Sequence, residues 1–126
     1  MSFSNTFETT TLKWVFTTDA VTRPTAWYLG LFTSDPTDAG TGSEIVGNGY
    51  TRKAVTFSVT GDTATNTAAI EFDAATAAWG TVSHVGVFDA STAGNLIAHS
   101  ALTTSKSVST GDILRVPAGD LDITLD

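Results

Sequence analysis

From residue 26 onward the chain is a succession of short segments in which apolar and polar residues alternate, each cut off by Gly, Pro, Asp or Asn. No other feature constrains the fold as much, because a period of two puts successive side chains on opposite sides of an extended strand. Trp27, Leu29 and Leu31 share one face and Tyr28, Gly30 and Phe32 the other. Both faces are largely apolar, which reads as a central, buried strand. Further strands are expected at residues 51–58, 63–67, 69–73, 83–88, 96–101, 107–108, 113–116 and 121–125. Gly61-Asp62 marks a hairpin turn, and residues 89–95 mark another in which Gly94 can take a positive φ. Pro117-Ala118-Gly119-Asp120 is expected to close a C-terminal hairpin. In the strand after it, Leu121, Ile123 and Leu125 are expected to point inwards and Asp120, Asp122, Thr124 and Asp126 outwards. Short strands at this spacing, with no helix between them, predict an all-β fold, an antiparallel β-sandwich of jelly-roll type.

The residues before the strands follow a different period. Phe3, Phe7 and Trp14 fall near one helical face, and Leu12, Val15 and Phe16 widen the stripe, so a short N-terminal helix is predicted at about residues 4–17. Asn5 with Glu8 resembles a capping box. Arg23-Pro24 must lie beyond its end, because a residue ahead of proline avoids the helical region. Such a helix is expected to cover an open side of the sandwich, with docking on a partner as the alternative. The 126 residues are read as one domain, the sandwich occupying about residues 26–126.

The chain has no Cys, so neither a disulfide framework nor a thiolate metal site is available. Only 15% of residues are charged, and the net charge is −7. The polar surface must come from Thr, Ser, Asn and Gly, which are cheap to desolvate and suit packing against copies or neighbours. The acidic balance argues against nucleic acid and against anionic lipid, both of which need clustered Lys and Arg. The longest apolar runs, at residues 27–32 and 85–88, are too short to span a bilayer, and no basic segment followed by an apolar one opens the chain.

Catalytic chemistry finds little support. The two histidines, His84 and His99, sit mid-strand and away from any Gly-framed serine, so each reads as a strand residue with a hydrogen-bond partner. Glu71 with Asp73, and Asp120 with Asp122, share strand faces and read as the wet side of a sheet rather than as paired catalytic acids. No enzyme activity is expected. The long loop at residues 34–49 holds Asp35, Asp38 and Glu44, hard oxygen ligands that would suit Ca²⁺. An acidic loop fixed by Asx-turns is the favoured reading, with no cofactor. Trp79 is expected to plug an end of the sandwich; an exposed platform for sugar stacking is the alternative.

The segments 27–33, Asp35-Pro36, 38–44, 49–57, 66–72, 79–90 and 102–106, followed by Gly111-Asp112, taken in that order, resemble a family of small virion proteins of tailed bacteriophages, labelled tail-fibre-like. The resemblance spans nearly the whole chain, and Lys53 departs from it where a smaller or neutral residue is expected. It implies a virion component, made in the host cytoplasm and bound to other virion proteins. A strand rises only about 3.3 Å per residue, and the chain has no coiled-coil heptads or repeats to form a shaft, so it makes a knob. A capsid decoration or cement protein is the favoured role, as a homo-oligomer and preferably a trimer. The alternative is a tail-fibre or tail-tip protein that binds a host receptor or glycan. Partner contacts are expected at Phe3 and Phe7, at Asp35, Asp38, Glu44 and Asn48 in the long loop, and at Tyr50 and Trp79.

Overall fold

The computed structural model describes residues 1–125, so the outward placement expected of Asp126 lies outside the described residues. The elements in chain order are β1 (Ser2–Phe3), α1 (Asn5–Phe16), β2 (Tyr28–Phe32), β3 (Lys53–Ala54), β4 (Phe57–Thr60), β5 (Thr63–Asn66), β6 (Ile70–Glu71), β7 (Gly80–Phe88), β8 (Leu96–Val108), β9 (Arg115–Val116) and β10 (Asp122–Thr124). Every strand pairing among the described residues is antiparallel. The strands form a five-stranded sheet ordered β1-β8-β7-β2-β3, a three-stranded sheet ordered β10-β5-β4 and a two-stranded sheet of β6 and β9. An antiparallel β-sandwich with one short helix is thus the fold.

The core gathers side chains from all three sheets. Leu29 and Leu31 of β2 and Val82, Val85 and Val87 of β7 are buried with Ile97, Ala98 and Val108 of β8. Ile70, Phe72, Trp79 and Leu121 complete it, with Phe57 and Ile123 packed against its edge. As the alternation predicts, β2 is central and buried, lying between β7 and β3. The β4–β5 hairpin turns at Gly61 and the β7–β8 turn uses Gly94 at φ 72°, both as expected.

Five expectations are corrected. Residues 51–58 do not form one strand. Lys53–Ala54 pairs with β2 while Phe57–Thr60 pairs with β5, and the buried Val55 lies at the corner where the chain changes sheets. Conversely, residues 96–108 form one strand, because β7 pairs with both of its ends, at Leu96–Ala101 and at Lys106–Val108, across a register shift between Val82 and His84. Residues 117–120 do turn, with the Asp120 amide donating to Pro117 O, but they close no hairpin: β9 pairs with β6 and β10 with β5. Leu121 and Ile123 face inwards as predicted, whereas Leu125, beyond the end of β10, is 57% exposed.

Asn66 holds that turn. Its side chain is buried; Nδ2 donates to Ala68 O and Pro117 O, and Oδ1 accepts from the amides of Gly119 (3.1 Å) and Leu121 (2.9 Å). Asn66→Ala removes all four bonds, leaves the buried Leu121 amide without its partner and is expected to cost roughly 1–3 kcal/mol. Faster amide exchange at Gly119 and Leu121 would accompany the loss in a hydrogen-exchange measurement.

The helix is the fifth correction. Its cap is Ser4 rather than Asn5: the Ser4 side chain accepts from the Phe7 amide, while its own amide donates to Ile97 O of β8. The short edge strand β1 therefore fixes where the helix begins. Only the first turns reach back to the sandwich, where Phe7 stacks at 5.2 Å from Phe3 and packs on the core. No helical residue is buried, and the second half covers no open side. Leu12, Trp14, Val15 and Phe16 are 59, 70, 55 and 78% exposed. Trp14 shares Phe7's stripe but stands about two turns further along, past the contact.

Candidate functional site

Two places on the molecule carry more than packing: the outer face of the large sheet, under the long loop, and the projecting end of α1. The first grows from a pair of glycines. Gly30 of β2 and Gly86 of β7 are register partners. A Cβ at Gly30 would stand 2.9 Å from the Phe88 ring and 3.0 Å from Glu44 Oε1; one at Gly86 would stand 2.8 Å from Leu96. The missing side chains leave a hollow that Phe32, Phe88 and Leu96 fill as a second small core.

The long loop closes over it. Glu44 bridges to Phe32 through its backbone, and its carboxylate accepts from Tyr50 Oη at 2.7 Å and from Arg52 Nε and Nη2 at 2.7 and 2.8 Å. Arg52 Nη1 also donates to Ala90 O and Ala93 O of the β7–β8 turn, and its guanidinium lies 3.4 Å from the centroid of the Phe88 ring. One arginine therefore ties the 34–49 loop to the 89–95 turn across an aromatic face. A surface hollow of about 200 Å³ remains beside it, lined in part by Phe32, Phe88, Glu44 and Arg52. Because Glu44 occupies the fork of Arg52, the site offers no free cation to an anionic ligand.

Tyr50 completes the clamp, its hydroxyl accepting from the Leu31 amide while donating to Glu44. Burial above all, and then the hydrogen bond to Glu44, pushes this hydroxyl far above the ordinary phenol value. The folded protein thus holds the proton more tightly than the unfolded chain. The stabilisation is intact below the unfolded value of about pH 10 and declines as pH rises beyond it. Urea midpoints at pH 8 and 11 should fall with pH in the wild type, and less steeply in Tyr50→Phe.

The three acidic residues of the long loop do not converge on one point. Asp35 caps an Asx-turn by accepting from the Thr37 amide at 2.8 Å, and Asp38 meets His99 Nε2 at 2.7 Å. His99 Nδ1 is 3.7 Å from Asp35, so the histidine braces the loop against β8, whereas Glu44 belongs to the clamp. Among the described residues no three His, Asp or Glu side chains assemble as a metal would require. Asn48, at φ 55°, donates to Ala78 O and accepts from Trp79 Nε1 at 2.8 Å. Trp79 is only 6% exposed and meets Tyr50 and Phe72 edge-on, so it presents no face to a partner or a sugar. Phe3 and Phe7 are half-buried on the sandwich, and the exposed apolar surface lies further along the helix.

His84 hydrogen-bonds Ser83 at 2.8 Å, and no carboxylate joins the pair among the described residues. Lys53 reaches Asp73 at 2.9 Å, and Glu71 faces Arg115 at 4.0 Å, so these acids form ion pairs on the sheet surface. Arg52 escaped the sequence reading as a site residue. Its one signal is a pair of adjacent cations, Arg52-Lys53, in a weakly charged stretch that follows an isolated Glu44.

A model of the family described as Podophage GP4 fiber I protein gp80 matches residues 2–124. The chain belongs to this family. No curated protein matches it. Membership of the fiber I family makes the chain a structural protein of a bacteriophage virion and implies association with other virion components, in agreement with the resemblance carried by its motifs. Among the described residues no helix is long and apolar enough to cross a membrane.

Proposed function

We propose that this protein is a non-enzymatic, knob-shaped module of a podophage tail fibre that joins its neighbours through the projecting end of α1 and acts as a homo-oligomer, a trimer being favoured. The observation that carries this reading is the apolar end of the helix: Leu12, Trp14, Val15 and Phe16 are all more than half exposed within one short stretch, whereas the other exposed large apolar residues, Val46, Val59, Ile113 and Leu125, are scattered singly along the chain. So many exposed apolar side chains at one helix end mark an interaction site. The fiber I description of the matched family favours the fibre over the head. No metal or other cofactor takes part, since the acidic side chains of the loop are engaged in turns, in the contact with His99 and in the clamp.

Capsid decoration is the second reading, supported by the compact shape and by the weakly charged surface, which suits lateral packing on a shell. Immunogold electron microscopy of intact phage, with antibody to this protein, separates the two. Gold on the fibres is expected; gold spread over the head would overturn the fibre assignment in favour of decoration.

A further inference from the structure

The apolar end of α1 has an internal pattern that identifies its occupant. At about 100° per residue, Asn5, Thr9, Leu12 and Phe16 fall within about 60° of one another. All four are exposed. Phe7, Thr10 and Thr11, the partly buried helical residues, lie on the opposite side. The sandwich thus sits behind the helix, and the Leu12–Phe16 seam faces away from it with nothing in between.

Setting Leu12 at the d position of a heptad puts Asn5 at d, Thr9 and Phe16 at a, Glu8 at g and Lys13 at e. These two are the only charged residues of the helix. In a parallel pair of helices, each g residue meets the e residue of the next heptad on its partner; in an antiparallel pair, g meets g and e meets e. A parallel arrangement therefore brings Glu8 of one copy to Lys13 of the next, whereas an antiparallel one sets Glu8 against Glu8 and Lys13 against Lys13.

We propose that the occupant of this face is α1 of further copies of the same chain, packed in parallel about a rotation axis along the Asn5–Thr9–Leu12–Phe16 seam and ordered by Glu8–Lys13 pairs between copies. This deepens, and rests on, the reading of the domain as a homo-oligomeric virion module. Parallel packing about a closed axis also points every sandwich outward from one end, as a cluster of knobs requires. Twelve residues give a short seam, enough to set orientation and no more than the root of a fibre.

The chain has no cysteine, so single cysteines report the geometry cleanly. In a parallel bundle every seam residue meets its own copy, and a disulfide needs Cα atoms within about 7 Å. In the full chain, Leu12→Cys should oxidise to a covalent dimer roughly tenfold faster than Trp14→Cys, which lies on the sandwich side. By light scattering the wild type should be an oligomer and Leu12→Glu a monomer, with unchanged circular dichroism because residue 12 is exposed. Glu8→Lys should weaken association roughly two- to fivefold, and Glu8→Lys combined with Lys13→Glu should restore it. A monomeric wild type, equal cross-linking at residues 12 and 14, or no rescue by the double swap would overturn the proposal. A monomer whose antibody still labels the fibre would sink this seam and leave the fibre assignment standing; an oligomer found on the head would do the reverse.

Discussion

Arg52→Ala is expected to destabilise the domain by about 3 kcal/mol, at the low end for breaking a buried pair because Glu44 keeps 23% of its side chain exposed. The Arg52 side chain is 9% exposed, so its removal strands Glu44 under the loop without its charge partner. It also frees the carbonyls of Ala90 and Ala93 and uncovers the Phe88 ring. Both ends of the clamp should loosen together. Urea titration would show a lower midpoint with an unchanged slope, and amides of residues 34–49 and 89–95 should exchange faster while the core strands stay protected. Arg52→Lys keeps the charge but loses the fork, so it should recover only part of the stability. A drop below about 1 kcal/mol for the alanine variant would mean that the loop is held by its Asx-turn and backbone bonds instead.

Trp79→Ala should cost still more, about 3–5 kcal/mol, the range for removing a large aromatic from a packed core. Its ring wedges edge-on between Tyr50 at 5.6 Å and Phe72 at 6.5 Å, and its Nε1 donates to Asn48 O. Truncation opens a cavity beside the clamp and leaves that carbonyl with one partner fewer. Thermal unfolding should shift down by roughly 10–20 °C. This changes what the variant can be used for. If Trp79 were an exposed stacking platform, its loss would abolish glycan binding and spare the fold. Buried as it is, any loss of cell binding in Trp79→Ala would report a damaged domain. Val46, 87% exposed at the tip of the long loop, is the cleaner position at which to test that loop for host contacts.

The burial of Trp79 also shows where local reasoning stops. Its neighbours in the chain are small and apolar, which fits an end plug as well as a surface platform; the choice rests on Asn48 and Tyr50, both far back in the chain, and on how Phe72 folds against them. Arg52 has the same character. Glu44 is close by in the chain, but the carbonyls of Ala90 and Ala93 and the ring of Phe88 come from a turn and strand end far along the sequence. Asp35, Asp38 and Glu44 look like one acidic cluster in the sequence, and the fold divides them between His99 and Arg52.

Period-two alternation is a property of neighbouring residues, and it was enough to establish an all-β antiparallel domain, the central strand around Leu29 and Leu31, and the turns at Gly61 and Gly94. The helical stripe likewise located α1 to within a residue at each end, and the ordered motifs pointed to a phage virion family. Pairing is not local. Which strand lies beside which depends on contacts between residues far apart in the chain. So the division of residues 51–58 between two sheets, the anchoring of the 117–120 turn by Asn66 and the overhang of α1 beyond an edge strand could be read only once the chain was folded. The same holds for the seam at Leu12 and Phe16: the sequence shows apolar residues around much of the helix, and the sandwich, by claiming the Phe7 side, leaves the opposite side for another molecule.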